Sequence, residues 1–267
     1  PELSGEEHQT AALVAGELRQ LGWRVREGVG RTGVVAELGP DQGTTVGLRV
    51  DMDALPVEEH TGLSYASTRQ GLMHACGHDL HTCTGLGVAR LLAQEPHLGA
   101  RVRLLFQPAE ELAQGAVWMR DAGAVEGLDA LYGVHVVPNL PVGTVGIRRG
   151  CLTAAAGELE ILVQGEGGHG ARPHQSVDAV WLAARVITEL QQTIARRLDA
   201  LQPVVISFGK VEGGRAFNVI ADQVRLLGTV RCLDLQQHAQ LPAWIDETVQ
   251  GICASGGGTA LVNYRCI

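Results

Sequence analysis

Apolar positions along the chain fall into short blocks with two different periods. Ala11, Val14, Leu18 and Leu21 recur at three- and four-residue spacing, which predicts a helix over 6–21 with Ser4 as its cap. Aliphatic runs at 33–38, 45–50, 101–106 and 129–135 predict strands. Helical spacing returns at 80–94 and 113–122. Strands that alternate with helices predict an α/β sheet covered on its faces.

After Gly150 the order changes. A strand at 158–164 leads into a long helix at 176–198. Strands at 203–211 and 223–231, a helix at 236–253 and a strand at 259–265 follow. That is β-α-β-β-α-β, the ferredoxin-like order. The change places a domain boundary near 150–155, dividing the chain into 1–153 and 154–267. No internal repeat and no low-complexity linker interrupts it.

Length agrees with this division. At roughly 150 residues per domain, 267 residues make one large domain or two ordinary ones. With 45% apolar and 19% charged residues the chain can bury a sizeable core, which excludes disorder as a description of the whole. Net charge is 21 − 29 = −8, and the densest basic group is Arg196-Arg197, so a nucleic-acid partner is not expected. No apolar run of about 18 residues predicts a membrane span, and the acidic stretch Pro1–Glu7 has no signal-peptide character. Six cysteines are spread along the chain without CxxC spacing, so a reducing, cytoplasmic location is expected.

Polar residues gather just after the predicted strands. Asp51 and Asp53 follow 45–50, Glu110 and Glu111 follow 101–106, and His135 ends 129–135. In an open α/β sheet the carboxyl ends of the strands form the ligand crevice. A fourth cluster, His74-Ala75-Cys76-Gly77-His78-Asp79-Leu80-His81, precedes helix 80–94. Thiolate, imidazole and carboxylate are the donors that hold zinc and similar divalent ions. Cys76 and His78, two apart around a glycine, can face one point. Read singly, each feature has a plain explanation. Glu110-Glu111 fits an acidic first helical turn, Asp51 and Asp53 fit turn formers, and His135 fits a satisfied core histidine. Read together, one glutamate can bind a metal while the other deprotonates water, and the aspartates can orient ligating imidazoles. In the second half, glycines flank His169 and allow close approach to a ligand, and Asn218 and Arg231 can bind a carboxylate.

These residues resemble a known family, the dinuclear metallo-amidohydrolases and peptidases related to aminoacylases and carboxypeptidase G. The nearer branch holds hippurate hydrolases, N-acetyl-diaminopimelate deacetylases and indole-acetyl-amino-acid hydrolases. The resemblance is carried by Pro1-Glu2-Leu3-Ser4, Asp51-Met52-Asp53-Ala54-Leu55-Pro56, Met73-His74-Ala75-Cys76-Gly77-His78-Asp79, Gln107-Pro108-Ala109-Glu110-Glu111 and Gly133-Val134-His135. Gly168-His169-Gly170-Ala171-Arg172-Pro173-His174 and Asn218-Val219-Ile220 continue it in family order.

It implies a zinc-peptidase-like catalytic domain, incomplete at its C-terminal part, with an inserted ferredoxin-like lid that forms a homodimer. It implies two divalent ions (Zn, Mn, Co or Ni) on Cys76, His78, Glu111 and His135, with Glu110 as general base and Asp53 in support. His169 would stabilise the oxyanion, and Asn218 and Arg231 would hold the carboxylate of an N-acyl amino acid. A further His ligand would come from a segment beyond Ile267. The implied reaction is metal-dependent hydrolysis of an N-acyl-amino-acid amide. A dipeptidase or carboxypeptidase on the same scaffold, and a truncated non-catalytic relative acting through its dimerisation domain, are the alternatives.

Overall fold

Helix α1 (His8–Gln20) buries Ala11, Val14, Ala15 and Leu18, the stripe that its sequence period predicts. Its cap differs from expectation. No side chain at the N-cap position bonds the first turn. Instead the Glu2 carboxylate accepts the N–H groups of Gln9 and Thr10 at 3.1 and 2.8 Å. Ser4 donates to Asp53 Oδ2 at 2.6 Å. A charged carboxylate satisfies two orphan N–H groups of the helix at once and complements its dipole, which frees the serine for other work.

The computed structural model describes residues 1–199, 201 and 203–267. Its contacts divide into two units, Pro1–Thr144 and Val145–Ile267. The first unit is a five-stranded sheet of β1 (Arg24–Glu27), β2 (Val34–Leu38), β3 (Thr45–Asp51), β4 (Arg101–Gln107) and β5 (Ala130–Gly133), in the order β1-β2-β4-β3-β5. Strands β4, β3 and β5 are parallel, and β2 and β1 add antiparallel to one side. Strand β1 was not foreseen: its four residues, Arg-Val-Arg-Glu, lie exposed or half-buried at the sheet edge and carry no apolar alternation.

Both faces of this sheet are covered. Leu104 and Phe106 point into one core with Val14 and Leu18 of α1 and Ala89 of α2 (His78–Leu92). Leu105 points into the other with Met119 of α3 (Gly115–Asp121). Burial on alternate sides explains why β4 reads as an unbroken aliphatic run. Helix α2 starts at His78, two residues ahead of the predicted start, so His78 lies in its first turn. Strand β5 ends at Gly133, so His135 stands beyond the strand.

The second unit contains β6 (Ala155–Gln164), α4 (Ala179–Arg197), β8 (Val204–Gly213), β10 (Gln223–Cys232), α5 (Leu235–Ser255) and β11 (Thr259–Cys266). Its sheet order is β11-β6-β10-β8, antiparallel throughout. That is the ferredoxin-like arrangement. Leu159, Ile161 and Val163 of β6 alternate into a core with Leu182, Val186 and Leu190 of α4 and Leu241, Ile245 and Val249 of α5. Asp178 caps α4 through the N–H groups of Val180 and Trp181, and Asp234 caps α5 through that of Gln237. A two-stranded ribbon pairs β7 (Gly168–His169) with β9 (Val219–Ile220).

Candidate metal centre

The parallel strands of the first unit end side by side, and their exits carry the polar residues. Asp51 closes β3, with Asp53 two residues on, and the loop after β4 bears Glu110 and Glu111. Facing them is the start of α2. Gly77, just before it, has φ 81, and a Cβ there would lie 2.5 Å from Val136 Cγ2. Only glycine both adopts that backbone and fits that gap, so the tight Cys76-Gly77-His78 turn depends on it.

Two aspartates hold two histidines. His78 Nδ1 lies 2.9 Å from the Asp53 carbonyl oxygen and 3.2 Å from Asp53 Oδ1. Both partners only accept, so Nδ1 carries the proton and Nε2 keeps its lone pair. His81 Nδ1 donates to Asp51 Oδ1 at 2.5 Å, and its Nε2 accepts the Val136 N–H at 2.8 Å. His135 Nδ1 donates to the Val136 carbonyl at 2.7 Å, which leaves its Nε2 3.4 Å from Cys76 Sγ. Asp53 also accepts from Ser4 and from the Glu111 N–H, both through Oδ2. Arg49 Nη1 stands 2.7 Å from Asp51 Oδ2.

Two of the donor atoms at this centre are buried and unsatisfied. His78 Nε2 is buried without a hydrogen-bond partner, as is Glu111 Oε1. Around that nitrogen, oxygens of Asp51, Glu110 and Glu111 each stand 3.8 Å away, beyond hydrogen-bonding length. Donor atoms of Cys76, His78 and His135 cluster within 4.8 Å of one another, and so do those of His78, Glu110 and Glu111. A third grouping, Asp51 with His78 and His81, is equally tight. It does not make a ligand set, because both nitrogens of His81 are already engaged. His81 instead fixes the Val136 peptide against which His135 is oriented.

Electrostatics points the same way. Burial, and then the charges of Glu111 and Glu110, push the Cys76 thiol up to about 11. Burial and the neighbouring Glu110 raise Glu111. Burial would lower His78, but the Asp53 hydrogen bond and the surrounding carboxylates hold it above its ordinary value. Burial would likewise raise Asp53, yet hydrogen bonds from His78, Ser4 and the Glu111 N–H bring it down to about 2. The carboxylate that orients stays charged, while Cys76 and Glu111 resist ionisation and His78 is drawn toward its cationic form, the pattern of an excess of negative charge that a cation would relieve. This donor set fits a pair of divalent metal ions.

All six candidates from the first unit therefore meet: Cys76, His78, Glu110, Glu111, His135 and Asp53. His74 joins none of the donor groupings among the described residues. In the second unit His169 and Asn218 share the small ribbon, where the Gly170 N–H donates to the Asn218 carbonyl at 2.9 Å. The glycines around His169 permit close packing there. A Cβ on Gly168 would meet Ser176 at 2.8 Å, and one on Gly170 would meet the Asn218 carbonyl at 2.9 Å. Arg231 is not brought to them. It pairs with Ala156 and Val205 at the far end of β10, whereas the ribbon adjoins the end where Gln223 faces Gln164.

Sequence reasoning left His81 and Glu7 without roles and gave Ser4 only that of a helix cap. A signal for His81 was present: Asp51 and Asp53 are two apart at a strand end and His78 and His81 three apart on a helix, spacings that let two pairs face each other.

Residues 47–249 match the model of peptidase family M20/M25/M40. A probable hydrolase of Synechocystis is 56% identical over 99% of this chain and 68% of its own length. The N-acetyl-L-cysteine deacetylase of Bacillus subtilis is 43% identical over 90% of the chain and 58% of its own length. The N-acyl-L-amino acid amidohydrolase of Geobacillus stearothermophilus is 40% identical over 97% of the chain and 71% of its own length. The chain thus spans between 58% and 71% of these curated relatives. A Bacillus subtilis crystal structure, described as a dinuclear metal-binding peptidase from the M20 family, superposes with a TM-score of 0.84 at 35% identity, over 100% of this chain and 70% of that one. Among the described residues no helix is long and apolar enough to cross a membrane.

Proposed function

The chain belongs to peptidase family M20/M25/M40 and is by that membership a metal-dependent hydrolase, and from this premise we propose that the protein cleaves the amide bond of N-acyl amino acids, releasing a carboxylic acid and a free amino acid. The observation that carries the reading is the unpartnered Nε2 of buried His78, ringed by carboxylate oxygens and grouped with Cys76 and His135. Cys76, His78, Glu111 and His135 would hold the two ions, and zinc, manganese, cobalt and nickel all suit this mix of thiolate, imidazole and carboxylate. When bound, such ions acidify water and polarise the acyl carbonyl.

The chain's own residues do the rest. Glu110 takes a proton from the attacking water as its oxygen bonds to the acyl carbon. The C–N bond then breaks, and Glu110 returns the proton to the departing amine. Asp53 keeps His78 in the tautomer whose Nε2 faces the centre. Asp51, through His81 and the Val136 peptide, does the same for His135. In the second unit this reading assigns His169 to the oxyanion and Asn218 to the substrate carboxylate. It also assigns that unit a lid and homodimer role and the protein a cytoplasmic location.

The test is metal content per chain by elemental mass spectrometry, on protein purified without chelator or affinity tag, followed by a panel of N-acyl amino acids and dipeptides. About two ions per chain and turnover of N-acyl amino acids are expected. Turnover confined to dipeptides would replace the reading with a peptidase. A folded protein that neither takes up metal nor turns over either substrate class would overturn it.

A further inference from the structure

We infer that Glu7 is a positioning residue for this reaction: its buried carboxylate holds the backbone of Ala109 and thereby sets where Glu110 stands. The inference rests on the reading of Glu110 as general base.

Glu7 is completely buried. Its carboxylate is held by neutral donors from three separate places in the chain. Oε1 accepts the N–H of Gly5 at 2.7 Å and of Ala109 at 2.8 Å, and Oε2 accepts the Thr32 hydroxyl. A charge buried without an opposite charge is expensive, and hydrogen bonds must make up the difference. Glu7 thus joins the entry to α1, the turn before β2 and the loop after β4.

Ala109 is the unusual partner. It has φ 46, in the left-handed region that L-residues avoid, and it is wholly buried. Such a conformation persists where its surroundings over-determine it. Here the N–H is tied to Glu7, and the carbonyl accepts the N–H of Gly115 at 3.1 Å. Two residues on, the Glu111 N–H is tied to Asp53 Oδ2 at 3.0 Å. Glu110 sits between these two anchors, with its Oε2 3.8 Å from His78 Nε2. The anchors divide their work: Asp53 sets Glu111, and Glu7 sets the approach to Glu110. Loss of Glu7 should therefore misplace the base while leaving the metal donors in place.

The experiment uses the full chain with Glu7→Gln, Thr32→Val and the double variant Glu7→Gln with Ala109→Gly. Glutamine keeps the size of Glu7 but loses the charge: its neutral oxygen accepts the two N–H groups more weakly, and its NH2 reverses the bond to the Thr32 hydroxyl. In Glu7→Gln, kcat should fall by about ten- to a hundredfold with KM and metal content unchanged, the loss expected from a misplaced catalytic group. Amide hydrogen exchange at Ala109 should become faster. Glycine adopts positive φ without steric cost, so Ala109→Gly in that background should restore part of kcat.

A folded Glu7→Gln protein with unchanged kcat and unchanged Ala109 exchange overturns the inference. Parallel loss of metal and kcat also overturns it, since Glu7 would then support the whole centre. Should Glu7→Gln fail to fold, Thr32→Val must show the same split at smaller size, and unchanged kcat there is a refutation. If the unaltered chain turns over no N-acyl amino acid, the proposed function falls. Ala109 exchange still decides the anchor: faster exchange in the variant supports it and unchanged exchange sinks it.

Discussion

His78 and His238 are both buried histidines with thiols nearby, yet they end in opposite chemistry. His238 lies on α5, its Nε2 2.9 Å from the Tyr264 hydroxyl and its Nδ1 3.5 Å from Cys266 Sγ. Both nitrogens are occupied and the ring packs edge-on to Tyr264. Burial, and then the thiols of Cys266 and Cys232, push the Tyr264 phenol up to about 12, so it stays a neutral hydrogen-bonding group. His78 spends one nitrogen on Asp53 and leaves the other aimed, unpaired, at carboxylates. Residue type and burial do not separate a structural histidine from a metal ligand. A lone pair left over among anionic groups does.

The sharpest way to break the contrast is His78→Ala. Metal content should fall toward zero and turnover with it, because His78 belongs to every donor grouping found. Retention of about two ions per chain, measured by elemental mass spectrometry, would remove His78 from the centre. Next comes Glu110→Gln, which should keep the metal while kcat drops by about a hundred- to ten-thousandfold, the range of general-base catalysis. Near-normal kcat would take the base role from Glu110.

A smaller effect concerns acid stability of the metal-free protein. Asp53 is held at about 2 when folded against an ordinary 3.8. Its lowered folded value stabilises the native state above pH ~4, and that contribution is lost as pH falls toward 2, because the unfolded chain binds the proton first. The loss amounts to about 2 kcal/mol. Urea unfolding between pH 5 and 2 should show it, and Asp53→Asn should flatten that part of the curve. An unchanged slope would mean that Asp53 is not held by His78 and Ser4 as described. The smallest effect is expected from His238→Phe. It leaves the Tyr264 hydroxyl and the Cys266 thiol without a partner and should cost about 1 to 2 kcal/mol in urea unfolding. Metal content and kcat should not move, and a change in either would give His238 a part in function.

Much of the centre was legible before any coordinates. Cys76, His78, Glu110, Glu111 and His135 are chemically distinctive and sit where strands end, so type and spacing sufficed to select them. The ferredoxin-like order was legible because each element of the second unit has a clean period, with Leu159, Ile161 and Val163 alternating along β6. Strand β1 was not, because an exposed edge imposes no apolar pattern on Arg24–Glu27. Ser4 was read as a helix cap because local rules favour serine there, but the acceptor that takes its proton, Asp53, lies 49 positions away.

What local sequence could specify was which residue types meet and which faces are apolar, since periodicity and the chemistry of side chains are short-range properties. Tautomers, unpaired atoms and strained backbone depend on partners brought from elsewhere in the chain. Asp51 and His81 are 30 residues apart, and Glu7 and Ala109 are 102 apart. Whether His81 spends both nitrogens, whether His78 keeps one free, and whether Ala109 can be held left-handed follow from those long-range contacts, because a hydrogen bond is decided by geometry at about 3 Å and not by spacing along the chain.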